Sequence, residues 1–335
     1  MEFDKNVFNF GLIFEGVINL SNHLPDMAVK SYNYIDLFDK VDFDKIKDHP
    51  NILIAASFWD EDRYCAARTC YRFMRAIDDL IDDHKTENSQ ILESERKKFL
   101  GDVNHWIGVI RNMNPCDPLQ EELTETLNRY RIPLWPLENF ARSMVYDIHH
   151  DGFPTLQSFL DYAEGASVAP AAIFVHLCGI SRQNGTYIPP EFDVAEAARP
   201  CAIFSYLVHI IRDFQKDQNN NLNYYADNLL LDYGLDRSII KEFARQGKVD
   251  GRFRDLISVY YELADQYRQD TFNIIEKIKP FLEPRYQMSL EIIFNLYLMV
   301  FERIDLKNSN FTNEELNPTI SEIKERVYQT ITRFN

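Results

Sequence analysis

Apolar residues recur along most of the chain at the three-to-four-residue spacing of one helix face. The pattern predicts a long helix over 52–83, or two helices meeting at a bend. It predicts further helices near 92–112, 118–130, 136–150, 155–180, 192–216, 236–247, 252–278, 283–305 and 318–333. Proline- and asparagine-bearing breaks separate them at Asn112–Pro118, Gln183–Pro190, Gln218–Asn223 and Lys307–Pro318. No alternating run predicts a convincing sheet, there is no internal repeat, and no break is long enough for an interdomain linker. The expected fold is all-α, one helical domain over residues 1–335.

Two helices depart from ordinary patterning. In YRFMRAIDDLIDDH (71–84), Asp78, Asp79, Asp82 and Asp83 crowd into a turn and a half. Asp78 shares a face with Asp82, and Asp79 with Asp83. Like charges at that spacing cost about 0.2–0.5 kcal/mol per pair. Salt bridges from Arg72 and Arg75 on a solvated face are the bland explanation. Against it, Tyr71, Phe73, Met74, Ile77, Leu80 and Ile81 surround the acids with apolar bulk, so the helix is not purely a surface one. In YLVHIIRDFQKDQNNNLNYYADNLL (206–230), His209, Asp213 and Asp217 recur every four residues, with Arg212 and Lys216 close by. An amphipathic helix with Asp213 paired to Lys216 is the ordinary explanation there. Together, two acidic helices in one helical chain suggest an oxygen-rich cage for Mg²⁺, which binds few carboxylates and keeps room for phosphate oxygens. A diphosphate held there would leave more readily, because the metal neutralises its charge.

Composition narrows the choice. Eleven glycines in 335 residues and an apolar share of 45% suit helices around a large core. A net charge of −16 argues against a nucleic-acid partner and against simple docking to anionic lipid. Cys65, Cys70, Cys116, Cys178 and Cys201 lack metal-site spacing and are expected to be free thiols in a reducing compartment. The first twenty residues lack a basic signal-peptide start, and the longest apolar stretch, around Ala169–Ile180, is too short to span a bilayer. The absence of any Glu-x-x-His argues against a di-iron bundle, and His149-His150-Asp151 is expected at a helix end.

The paired motifs resemble the squalene/phytoene synthase family, the head-to-head prenyltransferases, in a divergent bacterial form. Tyr71 to Asp82 follows that family's YxxxRxxDDxxD. Arg212, Asp213, Asp217 and Tyr224 follow its second motif. The stretch 130–167, with Asp147 and Tyr162, resembles its middle region, and Tyr297 its late helix; the likeness runs over about 49–305, after an extension of 1–48. HPNILIAASFW (49–59) is nearest the asparagine-type start of the bacterial hopanoid-pathway branch.

The resemblance implies an isoprenoid-synthase-type bundle with a central apolar cavity. It implies two or three Mg²⁺ ions on Asp78, Asp79, Asp82, His209, Asp213 and Asp217. Arg75 and Arg212 would clamp diphosphate, with Asn51 as a weaker phosphate contact. Tyr71, Tyr224 and Tyr297 would donate hydroxyls or stabilise cations. Two prenyl diphosphates, most simply farnesyl, would give a C30 presqualene, squalene, dehydrosqualene or hydroxysqualene product; a C20 substrate would lead to phytoene. NADPH use and oligomeric state are not readable, and the expected setting is the cytoplasm with peripheral membrane contact. Departures from the family pattern keep a terpene cyclase, a water-quenching enzyme and a non-catalytic relative in view. Tyr206 and His209 replace the usual glutamine and asparagine, no basic residue precedes Tyr224, and Glu164 stands where a cavity residue is common.

Overall fold

The computed structural model describes residues 34–43, 51–88 and 91–334; the side chains at 80, 82, 83 and 85–88 are not described. The expected helix over 52–83 is two helices. They are α2 (Asn51–Ala56) and α3 (Glu61–Asn88), preceded by the short α1 (Tyr34–Phe38). The bend has a local cause. Asp60 accepts the Arg63 backbone N–H through Oδ1 at 3.0 Å and so caps the start of α3. Ala66, Cys70, Phe73, Ile77 and Ile81 then form the buried stripe of α3.

The chain continues through α4 (Glu93–Asn112), α5 (Pro118–Arg129) and α6 (Trp135–His149). The single helix expected over 155–180 is instead α7 (Leu156–Ala163), a π-helical turn at Glu164–Val168, and α8 (Ala169–Gly179). The turn has a packing partner: a Cβ on Gly165 would lie 2.2 Å from Ser143 Oγ and 2.3 Å from the Asn139 carbonyl on α6. Only glycine permits that approach.

Strands β1 (Ser181–Gln183) and β2 (Thr186–Ile188) form a small antiparallel ribbon that the expectation of no sheet missed. Its loop is Asn184-Gly185, with φ of 49° and 82°, the left-handed pair that a two-residue hairpin requires.

Next come α9 (Val194–Arg212), α10 (Phe214–Asn219), α11 (Asp227–Asp232), α12 (Arg237–Gln246), α13 (Gly251–Ile278), α14 (Pro284–Phe301), α15 (Asn313–Leu316) and α16 (Ile320–Ile331). Helix α9 is apolar on nearly every face and packs against α8, α13, α14 and the π-turn. By length and composition it could cross a membrane, unlike the shorter stretch singled out in the sequence. Its place at the centre of the bundle accounts for that character. Helix α3 lies against α5, α6 and α8, and α14 against α2, α9 and α16. The architecture is a helical bundle around α9.

Candidate active site

The first acidic group sits on the exposed side of α3. Arg75 donates from Nη1 to Asp78 Oδ2 at 2.7 Å and from Nη2 to Asp79 Oδ1. Arg72 is not part of this arrangement, because it pairs with Glu122 of α5 at 2.8 Å. The bland explanation of the aspartates therefore holds for one arginine of the two. Asp82 belongs to α3, but its side chain lies outside the described residues.

The second group forms where α9 stops. Asp213 has φ −94° and ψ 8°, and α10 begins one residue later. Its carboxylate is almost fully buried. Oδ1 accepts from Arg212 Nε at 2.6 Å, and Oδ2 from Arg212 Nη2 at 2.9 Å. His209 Nε2 lies 2.8 Å from the same Oδ2. Burial opposes the Asp213 charge, but the Arg212 hydrogen bonds and the nearby His209 outweigh it and hold the acid well below the ordinary carboxylate range. Lys216, the partner first expected for Asp213, is exposed on α10. Asp217 lies one turn on in α10, within electrostatic reach of Arg212.

Tyr297 of α14 interacts with Tyr71 of α3 and with the second group. Burial pushes its hydroxyl up to about 12; Arg212 opposes the rise, while Cys201, Asp213 and Tyr71 add to it. The Tyr297 hydroxyl thus lies within electrostatic reach of α3 through Tyr71 and of the end of α9 through Arg212 and Asp213. Tyr71, Arg212, Asp213 and Tyr297 come together in this way, and Asp217 joins them through Arg212. Asn51 opens α2 and makes no side-chain hydrogen bond among the described residues.

An aromatic wall adjoins this centre. The Tyr206 ring lies 5.3 Å from Phe159, 6.0 Å from Tyr224 and 6.4 Å from Tyr162. Phe153 stands 5.0 Å from Tyr162 and 6.3 Å from Tyr224. The Tyr224 loop is held by backbone pairing, with Asp227 N–H donating to the Phe153 carbonyl at 2.8 Å. Tyr162 donates its hydroxyl to Asp147 Oδ2 at 2.5 Å. Burial, then Asp147, Tyr206 and Tyr224, raise the Tyr162 pKa well above a phenol's usual value.

Two supports of this wall escaped sequence reasoning. Arg237 grips Asp227 with Nε and Nη2 at 2.7 and 2.6 Å and donates from Nη1 to the Asp151 carbonyl at 3.1 Å. Asn223, which stands just before Tyr224 where the family pattern has a basic residue, donates to the Tyr225 carbonyl at 3.0 Å and shapes the loop. No periodicity announces such loop contacts. Glu164 pairs with Arg199 at 2.6 Å, both half exposed, so it is held at the surface rather than in a cavity.

The donor chemistry suits a hard cation. Asp78, Asp79 and Asp217 offer carboxylate oxygen, and Mg²⁺ needs only one or two carboxylates beside water and phosphate. Among the described residues, no three histidine, cysteine or acidic side chains already converge as a metal-binding group.

A family profile described as squalene/phytoene synthase matches residues 47–323. The chain belongs to the squalene/phytoene synthase family. Its matched span runs past residue 305 to include α15 and the start of α16.

Solved structures share the fold at low identity. A dehydrosqualene synthase in complex with ligand superposes with a TM-score of 0.61 at 16% identity, covering 88% of this chain and 98% of that one. Squalene synthase HpnC from Alicyclobacillus acidocaldarius gives 0.56 at 12%, covering 88% and 95%. YisP from Bacillus subtilis gives 0.58 at 13%, covering 90% and 100%. A search of curated protein sequences returns no match. Family membership makes this squalene/phytoene synthase relative a prenyltransferase-type enzyme of the head-to-head class.

Proposed function

We propose that this enzyme joins two farnesyl diphosphates head to head in an Mg²⁺-dependent reaction, giving a C30 product of the presqualene, squalene or dehydrosqualene type. The observation that carries this reading is the arginine–aspartate set on each acidic helix, with Tyr297 in electrostatic reach of Tyr71, Arg212 and Asp213. Guanidinium groups match phosphate oxygens in paired geometry, so Arg75 and Arg212 bind and orient the diphosphate. Asp78, Asp79, Asp82, Asp213 and Asp217, with His209, are the side chains that would hold magnesium. When bound, the metal lowers the cost of the charge that develops on the leaving diphosphate.

The hydroxyls of Tyr71 and Tyr297 supply neutral donors to the same oxygens. Tyr206, Tyr224 and Phe153 offer aromatic faces, each able to steady a carbocation by about 0.5–2 kcal/mol. Closing the site against water protects that cation from quenching. The C30 chain of any of these products is apolar, and we read the enzyme as a cytoplasmic one that touches the bilayer when product leaves.

Purified enzyme with Mg²⁺ and farnesyl or geranylgeranyl diphosphate, with and without NADPH, tests the reading. Pyrophosphate release and extracted hydrocarbons are followed together by mass spectrometry. A C30 product from the C15 substrate supports it, and its oxidation level reports NADPH use. Pyrophosphate with only C15 products transfers support to a cyclase or water-quenching enzyme. A C40 product moves the substrate to C20.

A further inference from the structure

The loop that carries Tyr224 is fastened by a residue from elsewhere in the chain. The family pattern has a basic residue just before Tyr224, and here Leu222 and Asn223 stand in that place. A guanidinium is nevertheless close by. Arg237 forks onto Asp227 and donates to the Asp151 carbonyl, so it joins the segment after Tyr224 to the turn that leads into Phe153. Gly152 leaves room for two polar heads: a Cβ there would lie 2.7 Å from Arg237 Nη2 and 3.1 Å from Asn223 Nδ2. The guanidinium therefore sits beside the side chain that precedes Tyr224. The same two segments are paired through their backbones, Asp227 N–H to the Phe153 carbonyl at 2.8 Å and Asn228 N–H to the Pro154 carbonyl at 3.1 Å. Exposed ion pairs on their own contribute little. This one has bidentate geometry and a third, backbone contact, which together fix the fork in one orientation. Its place on the helix points the same way. Arg237 is the first residue of α12, where a cation opposes the helix dipole, so what holds it there is its contact with other segments and not with its own helix.

We propose that Arg237 is a positioning residue of this site. It supplies from α12 the cation that the chain lacks before Tyr224, and it holds segments 151–154 and 223–228 together. Tyr224 is thereby kept against Phe153 and Tyr206, and the aromatic wall stays closed to water. Where the wall opens, water attacks the allylic cation: its oxygen forms the new C–O bond, one proton passes to solvent, and a prenyl alcohol leaves in place of the coupled product. The share of turnover that ends in alcohol is therefore set in part by a residue that acts through Tyr224. The proposal deepens the diphosphate-ionising function above and rests on it.

Product partition and amide exchange, both on the full chain, test it. With Mg²⁺ and farnesyl diphosphate, Arg237→Gln is expected to keep KM within about twofold of wild type. Its ratio of prenyl alcohol to coupled product rises about tenfold, the scale of one charge-assisted hydrogen bond. Asp227→Asn gives the same change, and Arg237→Lys, which keeps the charge without the fork, gives a smaller one. In a Tyr224→Ala background Arg237→Gln adds less than about twofold, because the group it positions is already gone. By hydrogen exchange and mass spectrometry, the peptide holding Asp227 and Asn228 loses protection in Arg237→Gln while peptides of α9 keep theirs. A wild-type product ratio in both Arg237→Gln and Asp227→Asn overturns the proposal, as does an undiminished effect in the Tyr224→Ala background. Both side chains are 42% exposed, and if one variant does not fold the other decides the matter. If wild type forms no coupled product from a C15 or C20 substrate, the coupling function fails instead. The clamp is then judged by exchange alone, where unchanged protection in Arg237→Gln overturns it.

Discussion

Arg212 and Asp213 are adjacent in sequence yet meet in a two-point ion pair, Nε to Oδ1 at 2.6 Å and Nη2 to Oδ2 at 2.9 Å. Consecutive residues of a helix point about 100° apart and do not face each other. The pair exists because α9 ends at this point and the backbone at Asp213 leaves helical geometry before α10 begins. A break in a long core helix thereby becomes the device that fixes a guanidinium at the candidate site.

Asp213→Asn is expected to lower turnover by about 100-fold or more, the scale on which catalysis responds to lost positioning. The amide keeps the shape of the carboxylate but cannot accept the fork at both atoms. Pyrophosphate release and far-ultraviolet circular dichroism check it together. Near-normal turnover in a folded variant would remove Asp213 from the site.

Tyr162→Phe deletes the donor that Asp147 Oδ2 accepts at 2.5 Å. The expected cost is about 1–3 kcal/mol of stability, since a partly buried carboxylate loses one of its hydrogen-bond donors. A denaturant titration at neutral pH measures it. A midpoint equal to wild type would mean that water replaces the hydroxyl without loss.

Gly165→Ala places a methyl 2.2 Å from Ser143 Oγ and 2.3 Å from a backbone carbonyl that cannot turn aside. Helix α6 and the π-turn must separate, and overpacking of this kind costs about 1–3 kcal/mol. Thermal unfolding checks the size of the loss. An unchanged Tm would show that the π-turn relaxes freely.

Glu322 closes a capping box at the start of α16. Hydrogen bonds from the Thr319 backbone, then from its hydroxyl and from Arg303, lower its pKa to about 2. A depressed acid stabilises the fold above its unfolded pKa, and that contribution is lost as pH falls through the folded value. Glu322→Gln should therefore lower Tm at neutral pH. The difference from wild type should shrink from about pH 4.5 downward and vanish near pH 2. A difference that stays constant with pH would assign the effect to shape rather than charge.

The helical character of the chain, most element boundaries and both acidic motifs were legible in the sequence, because 3.6-residue periodicity and i, i+4 spacing are local properties. The Asn184-Gly185 hairpin is local as well, since Asn-Gly is the dipeptide that a two-residue turn favours. Other features depend on residues far apart in the chain, and only the tertiary structure decided them. Trp59 donates to Ser289 Oγ at 2.8 Å across 230 positions, which ties the α2–α3 bend to α14. Arg72 turns to Glu122 and Glu164 to Arg199, because ion pairs form with whichever partner packing brings near. The π-turn follows from the contact of Gly165 with α6, and the aromatic wall from the docking of the Tyr224 loop on Phe153. The types and spacings of the site's residues are written along the chain. Which cation each carboxylate meets is set by the close packing of helices, which no local pattern encodes.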